Sequence, residues 1–321
     1  MNGYKWLPKV AAVGLFVGVA SVLSTQGAHA DPDDPLAGSD TAIILGGTTE
    51  PTPSTAFAQA AENLFLNPLG FDGGATGSTV CDMIGTDPCA APLQVLTTPE
   101  LIQQGPSSLT AADDVVLAVQ NEFNADPNAF SAEDPLTIFG YSQSATAESI
   151  AMSRLEADGI PSADLHFVFI GDPSLADTGV WPNIVADMDS VLGSSLTNTL
   201  LTDLGIDGVL GNVTPDDLYP TTIYSLDGDG VAQFQQDFES GGLLGDIEGL
   251  FVQHVEYLGL TPDEVANATT SIDDLITNVD ISDNINNADA WLSAVFEHGA
   301  AGSGLLESVF QSLEFYLTNS F

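Results

Sequence analysis

Residues 136–159 read "LTIFGYSQSATAESIAMSRLEADG", and this stretch decides the fold that we expect of the chain. Its first part is an apolar run typical of a buried strand, and its second part has the residue spacing of a helix. Ser142 lies at the junction, with Gly140 before it and Ser144 after it. The pattern is close to the G-x-S-x-G nucleophile elbow, with serine in place of the second glycine. The alternative is a capping serine on an ordinary strand-to-helix connection.

A nucleophile elbow requires small residues two positions either side of the serine, because the serine adopts a positive φ on a sharp turn. Gly140 meets this requirement, and Ser144 is small enough for the second position. The backbone N–H of Gln143 then lies at the start of the helix, where it can stabilise an oxyanion. Ser142 is therefore the candidate nucleophile.

The rest of the chain alternates between predicted strands and predicted helices. Four further apolar runs predict strands: "TAIILGG" (41–47), "LQVLTTP" (93–99), "DLHFVFIGDP" (164–173) and "TTIYSLDGDG" (221–230). Helical spacing occurs in residues 53–66 and in 107–123, where a serine or threonine is available as N-cap. This alternation predicts an α/β fold with five strands in a mostly parallel sheet, covered by helices on both faces.

The N-terminal 30 residues have the three-part pattern of a secretory signal peptide. Lys5 and Lys9 precede an apolar run over residues 10–23, and small residues follow at 28–30. A retained membrane anchor is the alternative, but the run is short for a span of about 20 residues. No later segment is apolar and long enough to cross a bilayer. We therefore expect an exported protein, secreted or held in the cell envelope.

After the signal peptide we expect a mobile leader and one domain. The leader covers residues 31–40, and the domain covers 41–321 without an internal repeat or clear linker. An insertion is predicted at 174–219, and the part from 240 to 321 is predicted to be mostly helical. Within it, "TPDEV" (261–265) has the residues of a helix capping box.

The charge of the chain excludes several classes of partner. The formal net charge is −42, and Arg154 is the only lysine or arginine beyond residue 30, against 45 acidic residues. Nucleic acids and anionic lipid headgroups are bound through lysine and arginine, so both are excluded. Small neutral or lipid-like substrates remain.

Two cysteines, Cys81 and Cys89, form a closely spaced pair, which in an exported protein predicts one disulfide. Only aspartates accompany them, so no metal site is predicted there. The "DGDG" at 227–230 does not fit an EF-hand loop, because Ala232 and Phe238 stand where glycine and glutamate are needed. We expect no cofactor.

A serine nucleophile needs a general base, and the chain has four histidines. His29 is removed with the signal peptide, His166 lies within a predicted strand, and His298 lies at a predicted helix end. His254 is the remaining candidate, and its alternative is a core-facing histidine on an amphipathic helix.

The acid that orients the histidine is expected after the strand that lies two beyond the nucleophile strand. Asp227 and Asp229 both qualify, and Asp172 after the preceding strand is a third option. The chain order is then serine, aspartate, histidine, as in α/β-hydrolases.

The loop "ILGGTTEPTPS" after the first strand is the expected second side of the oxyanion hole. Gly46, Gly47 or Thr48 would contribute a backbone N–H beside that of Gln143, with the Thr48 hydroxyl as a further donor. The alternative for this loop is a flexible glycine turn.

Four motifs together resemble the PE-PPE domain of mycobacteria, a family similar to cutinase-like serine α/β-hydrolases. They occur in family order across residues 40–275: "AIILGGTTEPTPS", "FGYSQSATAES", "YPTTIYSLDGDGVAQF" and "HVEYLGLTPDEV". The resemblance implies a cutinase-like sheet of five parallel strands. It also implies Ser142 as nucleophile, Asp229 rather than Asp227 as acid, and His254 as base. Gly228 stands where the family has tyrosine, and Gln233 where it has a second aspartate.

The resemblance implies a secreted serine esterase or acyltransferase acting on lipid or acyl-sugar esters, including acylated trehalose of the cell envelope. The insertion at 174–219 and the apolar helices after 240 are candidate walls of an acyl-chain groove, with ordinary core packing as the alternative. Peripheral association with the envelope is compatible with this activity. A non-catalytic cell-envelope protein that binds lipid on the same fold is the alternative function. The sequence indicates nothing about oligomeric state.

Overall fold

The computed structural model describes residues 34–73, 78–203, 205–236, 239, 249, 252–283, 290, 293 and 294. They form one central sheet of eight strands in the order β2-β3-β1-β4-β5-β6-β8-β7, parallel except for the β7–β8 pair. The strands are β1 (Ala42–Ile44), β2 (Val80–Asp82), β3 (Leu93–Val95), β4 (Leu136–Tyr141), β5 (Leu165–Ile170), β6 (Thr221–Leu226), β7 (Thr269–Asp273) and β8 (Ile276–Ile281).

The longer helices lie between these strands. They are α1 (Thr55–Ala61), α2 (Gln104–Ala125), α3 (Gln143–Ala157), α4 (Val180–Leu192) and α5 (Ser194–Asp203). Helix α1 continues as a π-helical turn, and α2 begins before its predicted serine or threonine cap, with Gln103 as N-cap. Pro106 is tolerated there because the first-turn N–H groups of a helix have no intrahelical partner.

The predicted α/β fold is confirmed, but the sheet has eight strands rather than five. Strand β2 has three residues, too few to show a periodic pattern. Strands β7 and β8 lie in the part predicted to be helical, and the helix that begins at "TPDEV" covers Pro262–Ala266. Its predicted capping box is confirmed, with Thr261 and Glu264 as partners. The β-branched residues that follow favour a hairpin, whose strand β8 pairs with β6.

Apolar side chains cover both faces of the sheet. On one face α1 packs on the strands through a cluster that includes Phe57, Phe65, Phe139, Val168 and Tyr224. On the other face α2 and α3 pack through Ile43, Val115, Ile138, Met152 and Phe167. Arg154 of α3 also forms an ion pair with Asp113 of α2. The central strands β1, β3, β4, β5 and β6 are thus buried on both faces, and the loops that follow them form the accessible carboxyl edge of the sheet.

Part of the segment 31–40, for which a mobile leader is predicted, packs on the domain. Leu36 is fully buried in the α1-side cluster, and its N–H donates to Leu69 O at 2.7 Å. The Ser39 hydroxyl bonds that of Thr137 at 2.8 Å. Burying one leucine contributes about 2 kcal/mol, which favours a packed segment.

The predicted insertion forms α4 and α5. A separate apolar cluster joins these helices to the residues that follow β6: Val180, Trp181, Leu201, Ile206, Val209, Val231 and Phe234. The Trp181 indole N–H donates to Thr146 Oγ1 at 2.9 Å, in the first turn of α3. The insertion therefore packs beside the junction between β4 and α3.

Several sequence predictions fall on other parts of the chain. The signal peptide at 1–30, His298 and most of the residues at 240–251 and 284–321, which were predicted to be helical, lie outside the described residues. Among the residues that are described, no helix has the length and apolar character needed to span a membrane.

Candidate active site

Ser142 occupies the turn between β4 and α3, with φ +57° and ψ −113°. Its N–H donates to Ile170 O at 3.0 Å, which ties the turn to β5. A Cβ at Gly140 would lie 2.6 Å from Glu148 Oε1 and 2.9 Å from Ala145 N, so a side chain has no room there. The strained backbone and the glycine have the geometry of a nucleophile elbow.

Ser144 has a role in the turn beyond its small size. Its hydroxyl accepts from Tyr141 N at 2.8 Å and donates to Tyr141 O at 3.1 Å. The side chain therefore satisfies both main-chain groups of the residue that precedes the nucleophile. A glycine at this position could make neither of these two hydrogen bonds.

Of the three predicted catalytic residues, Ser142 and Asp229 each lie within hydrogen-bonding distance of His254. His254 Nε2 is 2.7 Å from Ser142 Oγ, and His254 Nδ1 is 2.8 and 3.0 Å from the two Asp229 oxygens. Ser142 is half-buried, whereas the other two are buried. Asp227 is exposed, and its N–H donates to Ile281 O. Of the two aspartates in the turn, only Asp229 faces the histidine.

Main-chain and side-chain donors surround the Asp229 carboxylate. One oxygen accepts from Val231 N at 2.8 Å and from Ala232 N at 3.2 Å. The other accepts from the Tyr257 hydroxyl at 2.7 Å, and that hydroxyl accepts from Leu226 N at 2.8 Å. A buried carboxylate with this many donors is both stabilised and fixed in orientation.

The expected oxyanion-hole residues lie together beside the elbow. The Thr48 hydroxyl donates to Gln143 Oε1 at 3.1 Å, so its hydrogen is engaged by that side chain. Gln104 Nε2 donates to Thr48 Oγ1 at 2.9 Å, a contact that no sequence motif indicated. Gly47 packs on Tyr141, whose ring would be 2.9 Å from an added Cβ. The main-chain N–H groups of Gly47, Thr48 and Gln143 remain the candidate oxyanion donors.

Three buried glutamates lie around this loop and the elbow: Glu50, Glu100 and Glu148. Burial raises the pKa of Glu50 to about 9, with a smaller contribution from the charge of Glu100. Burial also raises the pKa of Glu100 to about 8, against a lowering by its hydrogen bond from Thr98. The pKa of Glu148 is raised well above its usual value, mainly by burial, and within the described structure its oxygens have no hydrogen-bond partner. Burial therefore disfavours the charged form of all three carboxyl groups.

The other weighed candidates have structural partners. His166 Nε2 lies 3.0 Å from Thr222 Oγ1, and burial lowers the pKa of this histidine to about 4. Asp172 accepts from Thr214 Oγ1 at 2.6 Å and from Ser174 N at 2.9 Å. Burial raises the pKa of Asp172 to about 6. His166 is therefore a core histidine, and Asp172 supports the insertion.

The predicted disulfide between Cys81 and Cys89 is confirmed. It closes the loop between β2 and β3, away from the elbow. In the part of the chain that the structure describes, no group of three or more histidine, cysteine, aspartate or glutamate side chains is arranged to hold a metal ion.

Sheet and elbow together define the class of fold. A mostly parallel sheet, a serine at positive φ after β4, and serine, aspartate and histidine in that chain order make this an α/β-hydrolase fold. The chain belongs to the PE-PPE domain family, whose sequence model matches residues 89–277. The family resemblance seen in the sequence motifs is thereby confirmed.

Two relatives come from Mycobacterium tuberculosis (strain ATCC 25618 / H37Rv). The uncharacterized PPE family protein PPE28 is 29% identical over 231 residues, which are 70% of this chain and 30% of that protein. The protein named Esterase PE16 is 27% identical over 239 residues, which are 72% of this chain and 39% of that protein. The chain thus spans about a third of the length of these relatives.

Two solved structures are also similar. One is a cutinase-like protein from Cryptococcus sp., at 18% identity and a TM-score of 0.36, covering 69% of this chain and 91% of that one. The other is RedJ with a PEG molecule bound in its active site, at 13% identity and a TM-score of 0.31, covering 96% and 97%. The fold assignment rests on the sheet and the elbow, since these superpositions are loose.

Proposed function

We propose that the chain is a serine esterase or acyltransferase that acts on lipid or acyl-sugar esters. Ser142 is the nucleophile, His254 the general base and Asp229 the acid that orients the histidine. The observation that carries the proposal is the unbroken hydrogen-bond chain from Ser142 Oγ through His254 to Asp229. This arrangement at the carboxyl edge of a parallel sheet is the one that acyl transfer requires.

In the first step His254 Nε2 accepts the hydroxyl proton while Ser142 Oγ forms a bond to the ester carbonyl carbon. The negative charge on the carbonyl oxygen is stabilised by the N–H of Gln143 and a second N–H from the Gly47–Thr48 side. Collapse of the tetrahedral intermediate breaks the ester C–O bond, and protonated His254 gives its proton to the departing alcohol. The acyl group then passes to water or to a sugar hydroxyl, deprotonated by His254, and Ser142 is restored.

Three observations support an uncharged acyl ester as the substrate. One relative is named an esterase, and the family match covers the elbow and the triad. The net charge of −42 repels anionic substrates. The insertion that carries α4 and α5 packs beside the β4–α3 junction through the bond of Trp181 to Thr146, which makes it the candidate wall of an acyl-chain groove.

A fluorophosphonate probe tests the proposal directly. Wild-type protein is expected to be labelled at Ser142, and Ser142→Ala is expected to be unlabelled, because only an activated serine reacts. Labelling is followed by mass spectrometry of the peptide that contains residue 142. Failure to label the folded wild-type protein, with retained lipid binding, would instead favour the non-catalytic lipid-binding protein.

Hydrolysis and acyl transfer are separated by the products. Trehalose and a medium-chain acyl donor are incubated with the protein, and the products are weighed by mass spectrometry. Acylated trehalose identifies a transferase, and free fatty acid alone identifies a hydrolase. We also propose export to the medium or cell envelope, which N-terminal sequencing of the exported protein tests by cleavage after Ala30.

A further inference from the structure

Regular secondary structure holds only one of the three triad residues firmly. Ser142 lies between a six-residue strand and a fifteen-residue helix. His254 lies in a helix of four residues, Gln253–Glu256, and Asp229 lies in a turn after β6. Acyl transfer depends on geometry at the level of about 1 Å, so the histidine and the aspartate need additional support.

Tyr141 supplies one such support from β4. Its hydroxyl donates to the main-chain carbonyl of His254, and its ring lies 5.5 Å from the imidazole ring at an interplanar angle of 33°. The side chain is 3% exposed. The residue that precedes the nucleophile in the chain therefore also fixes the main chain of the base.

Tyr257 supplies a second support, three residues after His254. It is fully buried, donates its hydroxyl to Asp229 Oδ2 at 2.7 Å and accepts from Leu226 N at 2.8 Å. Its ring lies edge-on to the imidazole at 6.4 Å. Gly171 leaves room for both rings, because an added Cβ would lie 2.9 Å from His254 and 3.1 Å from Tyr257.

The two hydroxyl groups remain donors over the working range of pH. Burial raises the pKa of both tyrosines well above the usual value, and the charge of Asp229 raises it further. The titratable groups around the Asp229 carboxylate are His254, Tyr257 and, from β4, Tyr141, which also faces Glu50. His254 Nδ1 lies 2.8 Å from Oδ1 and 3.0 Å from Oδ2, so Tyr257, at 2.7 Å, makes the shorter contact to Oδ2.

We propose that Tyr257 and Tyr141 are positioning residues of the reaction: Tyr257 acts through the Asp229 carboxylate and Tyr141 through the main chain of His254. This inference rests on the proposed function. The two roles predict different kinetic effects, because one hydroxyl touches a charged catalytic group and the other touches a backbone carbonyl.

Tyr257→Phe is expected to lower kcat by about tenfold with KM nearly unchanged, because it removes a hydrogen bond to a charged group. It is also expected to move the acid limb of the kcat/KM–pH profile to higher pH. A carboxylate with one donor fewer holds protonated imidazole more strongly, so the free base forms only at higher pH.

Tyr141→Phe keeps the ring and removes only the bond to the carbonyl of His254. We expect kcat to fall by roughly threefold to tenfold, with the acid limb unmoved. Tyr219→Phe is the matched control: this tyrosine is also fully buried and donates to a backbone carbonyl, that of Ile160 at 3.0 Å. It precedes β6 at the other edge of the sheet, so kcat and the acid limb are expected to stay at the wild-type values.

Rates are measured on a nitrophenyl acyl ester with variants whose circular dichroism matches that of wild type. An acid limb in Tyr257→Phe identical to that in Tyr219→Phe would overturn the role of Tyr257, and a wild-type kcat in Tyr141→Phe would overturn that of Tyr141. If wild-type protein neither hydrolyses the ester nor reacts with a fluorophosphonate, the proposed function itself fails.

Incorporation of 3-fluorotyrosine gives a second test if Tyr257→Phe does not fold. Its hydroxyl is more acidic and a stronger donor, so the acid limb is expected to move to lower pH. An unmoved limb in the folded, fluorinated protein would overturn the role of Tyr257.

Discussion

Asp229 and Asp227 lie two residues apart in the turn after β6, and their replacement by asparagine makes a matched pair. Asp229→Asn is expected to lower kcat by about 10³–10⁴-fold, because the amide holds imidazole in the wrong tautomer. Asp227 is exposed and its side chain is remote from His254, so Asp227→Asn is expected to stay within about twofold of wild type.

Initial rates on a short-chain nitrophenyl ester measure both variants. Equal losses, or a greater loss in Asp227→Asn, would mean that the acid has been assigned to the wrong aspartate. Thermal unfolding serves as the control, because Asp229→Asn also weakens a buried hydrogen-bond network.

Individual residues of the site differ in how visible they are in the sequence. Ser142 lies in a local motif, and the scarcity of histidines together with chain order points to His254. Tyr257 and Gln104 carry no local signal, because their partners lie 28 and 56 positions away along the chain. Such contacts are set by the packing of the loops, which neither spacing nor composition specifies.

At the scale of elements, the loop after β1 carries the candidate oxyanion donors and the buried Glu50, and it is bonded to the loop after β3, which carries the buried Glu100. Both have raised pKa values, so the folded protein holds protons that the unfolded chain has released. Their contribution to stability is fully present below the usual pKa of 4.5 and is lost as pH rises through about 8 to 9. We expect Tm to fall by about 5 °C or more between about pH 5 and pH 9.

Glu50→Gln removes one of these ionisations and keeps the shape of the side chain. It is expected to flatten the fall of Tm with pH, whereas Glu156→Gln, at an exposed position of α3, is expected to leave it unchanged. The measurement is differential scanning calorimetry across the pH range. If Tm falls with pH as steeply in Glu50→Gln as in Glu156→Gln, ionisation of the buried Glu50 does not cause the loss of stability.

The elements themselves were predictable to different degrees. Strands β4 and β5 are six residues long, buried throughout and mostly apolar, so the sequence identifies them directly. The hairpin of β7 and β8 was predicted as helix because "TPDEV" begins a well-capped helix. That helix ends after five residues, and β7 is exposed along its whole length, so no apolar alternation marks it. Pairing of β8 with β6 determines the structure there.

For the whole molecule, the charge of −42 predicts a strong dependence of stability on salt. Like charges repel more strongly in the compact state than in the expanded chain. Raising NaCl from about 10 mM to about 1 M shortens the Debye length from about 30 Å to about 3 Å, so Tm is expected to rise by several degrees. Tetramethylammonium chloride at equal ionic strength is expected to raise Tm by a similar amount. A Tm that falls with both salts would contradict this explanation.

Arg154, which forms the ion pair with Asp113, also makes the protein simple to follow by proteolysis, because it is the one lysine or arginine beyond residue 30. Beyond residue 30, a protease that cleaves after lysine or arginine finds one bond, between Arg154 and Leu155. That bond lies within α3, and the Leu155 side chain is fully buried. Proteases bind their substrates in extended form, so this bond is cut only when α3 unwinds. Trypsin should therefore convert the exported chain into two fragments at a rate that reports the opening of the helix carrying the elbow.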